Sequence, residues 1–296
     1  DAAVENLCRD HRLTNDPPAP RARPGGRDSC NSSAPGKTDM IWGRIATADG
    51  RILCGEIRNG MLTPRQGLGG PPTGAAPVPM QGARLLAPSL PGKFIGLWNN
   101  YRASAERNGW VAPDHPLWFL KPATSVVGQG AQVTIPAAAG RVIFEGELGL
   151  VIGRTCRNEG PETAETAIFG HTCINDLTSL DVLNAVPAFP QWARAKGFDG
   201  FGVIGPVIAT GLDWRRLTIR TLVNGRERQA YPAADMIYSP AEIVSRLSFD
   251  MTLQAGDVIA VGTSLGVRPV KPGDVVAVSI EGIGAVEVTL MDTPVV

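Results

Sequence analysis

The chain has 296 residues, 43% of them apolar, and its 28 Lys and Arg are balanced by 28 Asp and Glu. That length suits one large domain, alone or with a small appendage, and a net charge of zero offers no basic field to draw nucleic acid. The longest apolar runs, such as 148–152, are strand-sized and far short of a membrane span, and the first residues lack the apolar core of a secretion signal. Five cysteines without a CxxC pair read as small free or buried thiols in a reducing compartment. A cytoplasmic protein that meets neither membrane nor nucleic acid is expected.

In chain order, residues 1–39 are rich in Pro, Arg, Asn, Ser and Gly, without apolar periodicity, and predict a disordered leader ahead of a start at Met40. From Ile41 the pattern reads as two β-segments around Asp49-Gly50, a hairpin signal, and a Gly/Pro-rich stretch over 67–82 then breaks it. Residues 40–83 are therefore expected to form a small N-terminal β domain with its linker, too small to fold well alone and packed on the larger domain. From about Arg84 to the end, short strands dominate, with apolar runs at 94–98, 117–120, 142–152, 203–209, 217–223, 258–261, 275–280 and 285–290. Asn224-Gly225 is a second hairpin signal, and Gly256-Asp257 and Gly273-Asp274 each open a similar turn-then-strand unit. Helices are predicted over 101–107, 161–168, 178–185 and 240–247. The fold class is β-rich mixed α+β.

The chemistry concentrates at Glu145-Gly146-Glu147. Side chains two apart on a strand share a face, and paired carboxylates repel unless a cation, Arg or Lys lies between them. Asp176, at the end of another apolar strand, is a third carboxylate. Three carboxylates suit a hard cation such as Mg²⁺, Mn²⁺ or Ca²⁺, with open positions for water and substrate. On spacing alone, solvated edge-strand acids remain the alternative reading.

The ordered motifs around this pair resemble the fumarylacetoacetate hydrolase family. They are E-x-E-L-x-x-V-I-G at 145–153, Asn175-Asp176, Lys196-Gly197-Phe198-Asp199 ahead of Ile204-Gly205-Pro206, and Ala255-Gly256-Asp257 through Gly262-Thr263. Upstream, Asn100-Tyr101 and Phe119-Leu120-Lys121-Pro122 extend the match, which spans roughly 84–290. The resemblance implies a β-roll or pseudo-barrel catalytic domain over 84–296 and a homodimer. It implies Glu145, Glu147 and Asp176 as ligands of Mg²⁺ or Mn²⁺, Lys196 as the cation that stabilises a developing enolate, and Lys121, Gly262 and Thr263 as substrate contacts. The implied substrate is a small 2-oxo acid carrying a second carbonyl, cleaved at a C–C bond, or a 2-hydroxy-dienoate that is isomerised. A metal- and ligand-binding member without turnover is the third reading.

Two departures bear on the reaction. Ser104 stands where many relatives carry a lid histidine, and Leu180 stands where many carry an Arg four residues after the Asp. Glu106, with Arg102 as a substrate clamp, is then the remaining acid/base pairing, and His115 the remaining imidazole. Gly262 to Gly266 matches the G-x-S-x-G pattern of serine hydrolases, but the prolines after it cannot start a helix and no His follows Ser264. Trp98, Trp118 and Trp192 read as core or pocket walls.

Overall fold

The protein is described from a computed structural model over residues 39–293, so the leader expected at 1–39 lies outside the described residues except for Asp39. Three open sheets carry the chain. The largest has twelve strands: a path of ten runs from Val78–Pro79 through Met61–Pro64, Ile52–Arg58, Ile41–Ala46, Gly202–Ala209, Ile168–Asp176, Gly146–Ile152, Val258–Ala260 and Phe94–Trp98 to Leu117–Lys121, and Arg84–Leu85 and Val126–Val127 pair beside it with Ile41–Ala46 and Gly202–Ala209. A five-stranded sheet is ordered Arg226–Pro232, Thr218–Val223, Val275–Ile280, Gly284–Asp292 and Ala131–Ile135, and a small sheet joins Thr178–Ser179, Val142–Ile143 and Pro269–Val270. The β-rich α+β expectation holds, and the sheets stay open and close no barrel among the described residues. The segment read as a separate N-terminal unit pairs Ile41 and Trp42 of its first strand with Ala209 and Ile208, and so extends the large sheet.

Patterning explains why the centre of that sheet is dry. Every residue of Gly146–Ile152 and all but one of Ile168–Asp176 is buried, so these strands read as continuous apolar runs rather than alternations. Leu148, Leu150 and Ile152 enter a core shared with Val276, Val278, Val286 and Val288 of the five-stranded sheet. On the opposite face, Val151, Ile174, Ile204 and Ile208 pack with Trp42 and Phe94. Burying one such side chain contributes about 1.5–3 kcal/mol, so the two faces together hold the strands rigidly.

The local signals behave as their chemistry requires. Asn224 and Gly225 both have positive φ, 51° and 74°, as a tight hairpin turn demands. The two Gly-Asp turns are the same device: Gln254 donates its N–H to Asp257 Oδ2 at 2.7 Å, and Lys271 donates to Asp274 Oδ2 at 3.0 Å. Asp257 also accepts the Lys93 N–H at 2.9 Å, which ties this turn to the Phe94–Trp98 strand. The helix predicted over 240–247 runs Pro240–Asp250 behind a Ser239/Glu242 capping box. The one expected over 161–168 stops at Glu165, because Ile168 already belongs to the next strand. That expected over 178–185 is limited to Leu180–Leu183, since Thr178 and Ser179 pair with Val142–Ile143.

Gly146 separates the two glutamates where no side chain fits. A Cβ there would lie 1.9 Å from Thr221 Oγ1, which is buried beneath the strand. Gly146→Ala is expected to destabilise the fold by about 1–3 kcal/mol through overpacking. Chemical denaturation measures this, and an unchanged midpoint would contradict the packing described.

Candidate metal centre

Strand register assembles the carboxylates. Gly146 opposes Asn175 and Glu147 opposes Ile174, so Glu145, just before its strand, falls beside Asp176 at the end of the other. The Asp176 N–H donates to the Glu145 carbonyl at 2.9 Å and locks this end of the pair. Glu145, Glu147 and Asp176 each place one oxygen within 4.8 Å of the others. The Gly146 carbonyl between the glutamates accepts hydrogen bonds from Tyr231 Oη and from Thr263 Oγ1, the latter at 3.0 Å. The Gly146 N–H donates to Gln229 Oε1 at 3.1 Å. The peptide that aims Glu145 and Glu147 is therefore held from the five-stranded sheet.

Two buried lysines supply most of the counter-charge. Lys196 Nζ lies 2.6 Å from Glu145 Oε2 and 2.5 Å from Asp176 Oδ2. Lys121 Nζ approaches the other Asp176 oxygen at 2.6 Å and also donates to the Leu177 carbonyl at 3.4 Å. Burial opposes the charge on Asp176, but Lys121 and Lys196 outweigh it and hold the carboxyl below its ordinary range. Burial likewise opposes the charge on Lys196, yet the carboxylates of Asp176, Glu145 and Glu147 hold the ammonium above its ordinary value. Lys121 is pushed down by burial and by the nearby Lys196 charge, against the pull of Asp176.

Burial also pushes the Glu145 carboxyl above its ordinary range, against the pull of Lys196, and Glu147 is raised further. Its Oε2 accepts the Gly262 N–H at 2.7 Å, while the close ion pairs of both lysines go to the other two acids. Burial, then repulsion from Asp176 and Glu145, pushes its carboxyl well above the usual range. When all three carboxylates are ionised, as cation ligands must be, they outnumber the two ammonium groups by one in a largely buried site. An all-oxygen donor set with excess negative charge and one open side fits a hard divalent cation held by Glu145, Glu147 and Asp176.

The open side is a cleft of about 650 Å³. Glu145 and Lys196 face it, with Thr263 and Ser264 on one side and Trp98, Phe119 and Trp192 on another. The short helix Trp192–Lys196, absent from the sequence prediction, points Trp192 and Lys196 the same way at i and i+4 spacing.

Of the other expected substrate contacts, only Thr263 lines the cleft. Arg102 donates to the backbone carbonyls of Met236 and Asp235, the latter at 3.3 Å, and both it and the exposed Glu106 lie outside the cleft lining. From the same helix, Arg102–Asn108, it is Ser104, Arg107 and Asn108 that reach the cleft. Lys121 sits behind Asp176, fully buried, as a support for the acid. Gly262 gives its N–H to Glu147, and the Thr263 hydroxyl donates to Gly146 while accepting from Gln229 Nε2 at 2.9 Å. His115 lines a different cavity, beside Arg246. Trp98 and Trp192 are pocket walls, whereas Trp118 lies away from the cleft and donates to Asp250 at 3.0 Å. Arg107, Trp110, Arg268, Gln229 and Tyr231 went unread in the sequence. Only the last two left a signal, as buried alternate positions of the Arg226–Pro232 strand.

Removing Lys121 tests how the charges are shared. In Lys121→Met, Asp176 keeps one buried partner, so the metal-free protein is expected to lose about 3–5 kcal/mol. Added Mn²⁺ restores a counter-charge, so the Tm gain from Mn²⁺ should be larger in the variant than in the wild type. Equal gains measured by thermal melting would contradict this.

The chain is similar to known proteins of one family. The family described as fumarylacetoacetate (FAA) hydrolase, C-terminal, matches residues 93–291. An uncharacterised protein of Archaeoglobus fulgidus is 43% identical over 207 residues, 70% of this chain and 82% of that protein. The crystal structure of 5-carboxymethyl-2-hydroxymuconate delta-isomerase from Mycobacterium smegmatis superposes with a TM-score of 0.78 at 37% identity, covering 86% of this chain and all of that one. That of maleylpyruvate hydrolase from a Sphingobium species, in complex with manganese(II) and pyruvate, gives 0.69 at 26% identity with the same coverage. The family model spans two thirds of the chain and the Archaeoglobus relative is matched over most of its length, so the chain belongs to the fumarylacetoacetate hydrolase family.

Proposed function

We propose that the protein is a divalent-metal-dependent hydrolase or decarboxylase that cleaves a C–C bond in a β-carbonyl 2-oxo acid. The observation that carries this reading is the uncompensated Glu147 beside Glu145 and Asp176, with Lys196 at the same cleft floor. Mg²⁺ or Mn²⁺ fits the donor set, with Ca²⁺ a weaker fit to three close carboxylates. The manganese and pyruvate of the Sphingobium hydrolase support the same choice. When bound, such an ion supplies Lewis-acid polarisation of a chelating 2-oxo oxygen.

The chain's own residues do the rest. Lys196 holds a proton and a fixed positive charge at the cleft floor, because Asp176 and Glu145 anchor its ammonium at 2.5 and 2.6 Å. A fixed cation costs no reorganisation as negative charge develops on an enolate oxygen, and a single such group contributes about 10²–10³-fold in rate. Lys121 keeps Asp176 ionised from behind. Tyr231, Thr263 and Gln229 fix the Gly146 peptide so that both glutamates face one point.

Isomerisation of a 2-hydroxy-dienedioate is a second reading, favoured by the ionisable groups of the cleft. They are Glu145, Lys196, Arg107 and Arg268, without an imidazole to activate water. Such a site moves a proton along an enol more readily than it generates hydroxide. The Mycobacterium smegmatis isomerase supports this alternative.

The test is turnover of acetylpyruvate, oxaloacetate and a 2-hydroxy-dienedioate, followed by ultraviolet absorbance with Mn²⁺, with EDTA and in Glu147→Gln. Activity on at least one acid, abolished by EDTA and reduced by at least about 100-fold in the variant, is expected. Activity that survives EDTA would overturn the metal-dependent reading, and the product formed decides between cleavage and isomerisation.

A further inference from the structure

The acid head of a 2-oxo acid occupies little of a 650 Å³ cleft, and the remainder is unevenly built. From Lys196 a strip of aromatic rings leads outward. Lys196 Nζ lies 4.7 Å from the Phe119 ring centre, and Phe119 stacks on Trp192 at 5.4 Å with 13° between the planes. Trp192 approaches Trp98 at 6.2 Å, and Trp98 meets Trp110 at 4.7 Å. The strip ends at Trp110, whose side chain is 40% exposed, and Ile143, Leu180 and Leu183 add apolar lining to the same cleft. Three ring-to-ring steps from the ammonium are far more than a methyl group covers. An indole left partly bare on a cleft wall is costly surface unless a flat apolar partner covers it.

We infer that the substrate carries a planar apolar arm, an aryl group on its second carbonyl, which lies along Phe119, Trp192, Trp98 and Trp110 while the acid head sits at Glu145 and Lys196. The inference rests on the cleavage reading and narrows its substrate to 4-aryl-2,4-dioxo acids. Water adds to the carbonyl that bears the arm, and the bond from that carbon to the methylene breaks. The electron pair passes to the methylene carbon, which takes a proton to give pyruvate, and the arm leaves as an aryl carboxylic acid. The competing arrangement uses Arg107 and Arg268, on exposed segments of the same lining, to hold a distal carboxylate.

The experiment compares acetylpyruvate, benzoylpyruvate and succinylpyruvate on the full chain with Mn²⁺, by kcat/KM and by calorimetric binding. The variants are Leu180→Arg and Trp110→Ala, the second at a residue that is 40% exposed. Benzoylpyruvate should exceed each of the others by at least roughly tenfold in kcat/KM. Trp110→Ala should lower kcat/KM for benzoylpyruvate severalfold more than for acetylpyruvate. Leu180→Arg should lower benzoylpyruvate and raise succinylpyruvate. Preference for succinylpyruvate in the wild type, or equal losses on all three acids in Trp110→Ala, would overturn the inference. Absence of turnover on all three would overturn the cleavage reading instead, and the calorimetric ranking then decides the arm on its own.

Discussion

Crowding of Glu145, Glu147 and Asp176 within 4.8 Å of one another, the last two fully buried, is the arrangement on which the rest of the site depends. Two like charges at that separation repel by roughly 3–4 kcal/mol even at an effective dielectric of about 20, and water is excluded from most of the cluster. Lys196 and Lys121 answer part of that repulsion through ion pairs of 2.5–2.6 Å. They bracket Asp176 from both sides and leave Glu147 with a backbone N–H as its close partner. A cation among the three acids would relieve the repulsion that raises Glu147, and Asp176 and Glu145 keep Lys196 protonated at the edge of the cleft.

The sheets exist in the form that this cluster requires. Antiparallel register between Gly146–Ile152 and Ile168–Asp176 brings acids thirty residues apart in sequence to one point, and apolar packing on both faces denies the strands room to slip. The five-stranded sheet contributes no ligand, yet Tyr231 and Gln229 reach across to the Gly146 peptide and fix its orientation. Gly262, at a φ of 94°, turns its N–H onto Glu147. A substitution in this support acts through ligand aim, without touching a substrate.

How much of this was legible in the sequence depends on the range of the interactions involved. The Asn224-Gly225 turn, the capping box at Ser239 and the Gly-Asp turns are local chemistry, and each formed as its residues dictate. The Glu-x-Glu spacing alone left solvated edge acids as an alternative, and it was the ordered family motifs around it that singled out the three carboxylates. Arg102 and Glu106 were chosen by position in the chain. Helix phase and the carbonyls at 235–237 instead turn Arg102 away, and Ser104, Arg107 and Asn108 reach the cleft. The aromatic strip joins residues from four separate segments, so no periodicity could reveal it. The run at 142–152 read as one strand breaks at Phe144-Glu145 because Val142–Ile143 pairs with a different sheet.

Hydrolase and isomerase readings share the acid cluster and the lysine, and diverge only over what happens beyond the enol carbon, where the cleft lining takes over. The common claim is that a cation sits among the three carboxylates. Crystals of the protein grown with Mn²⁺, with anomalous scattering collected at the manganese edge, test it most directly. The account predicts one strong peak with oxygen ligands from Glu145, Glu147 and Asp176, and Lys196 still paired to Asp176. A peak elsewhere, or Glu147 turned away from a site that remains empty at saturating Mn²⁺, would contradict it.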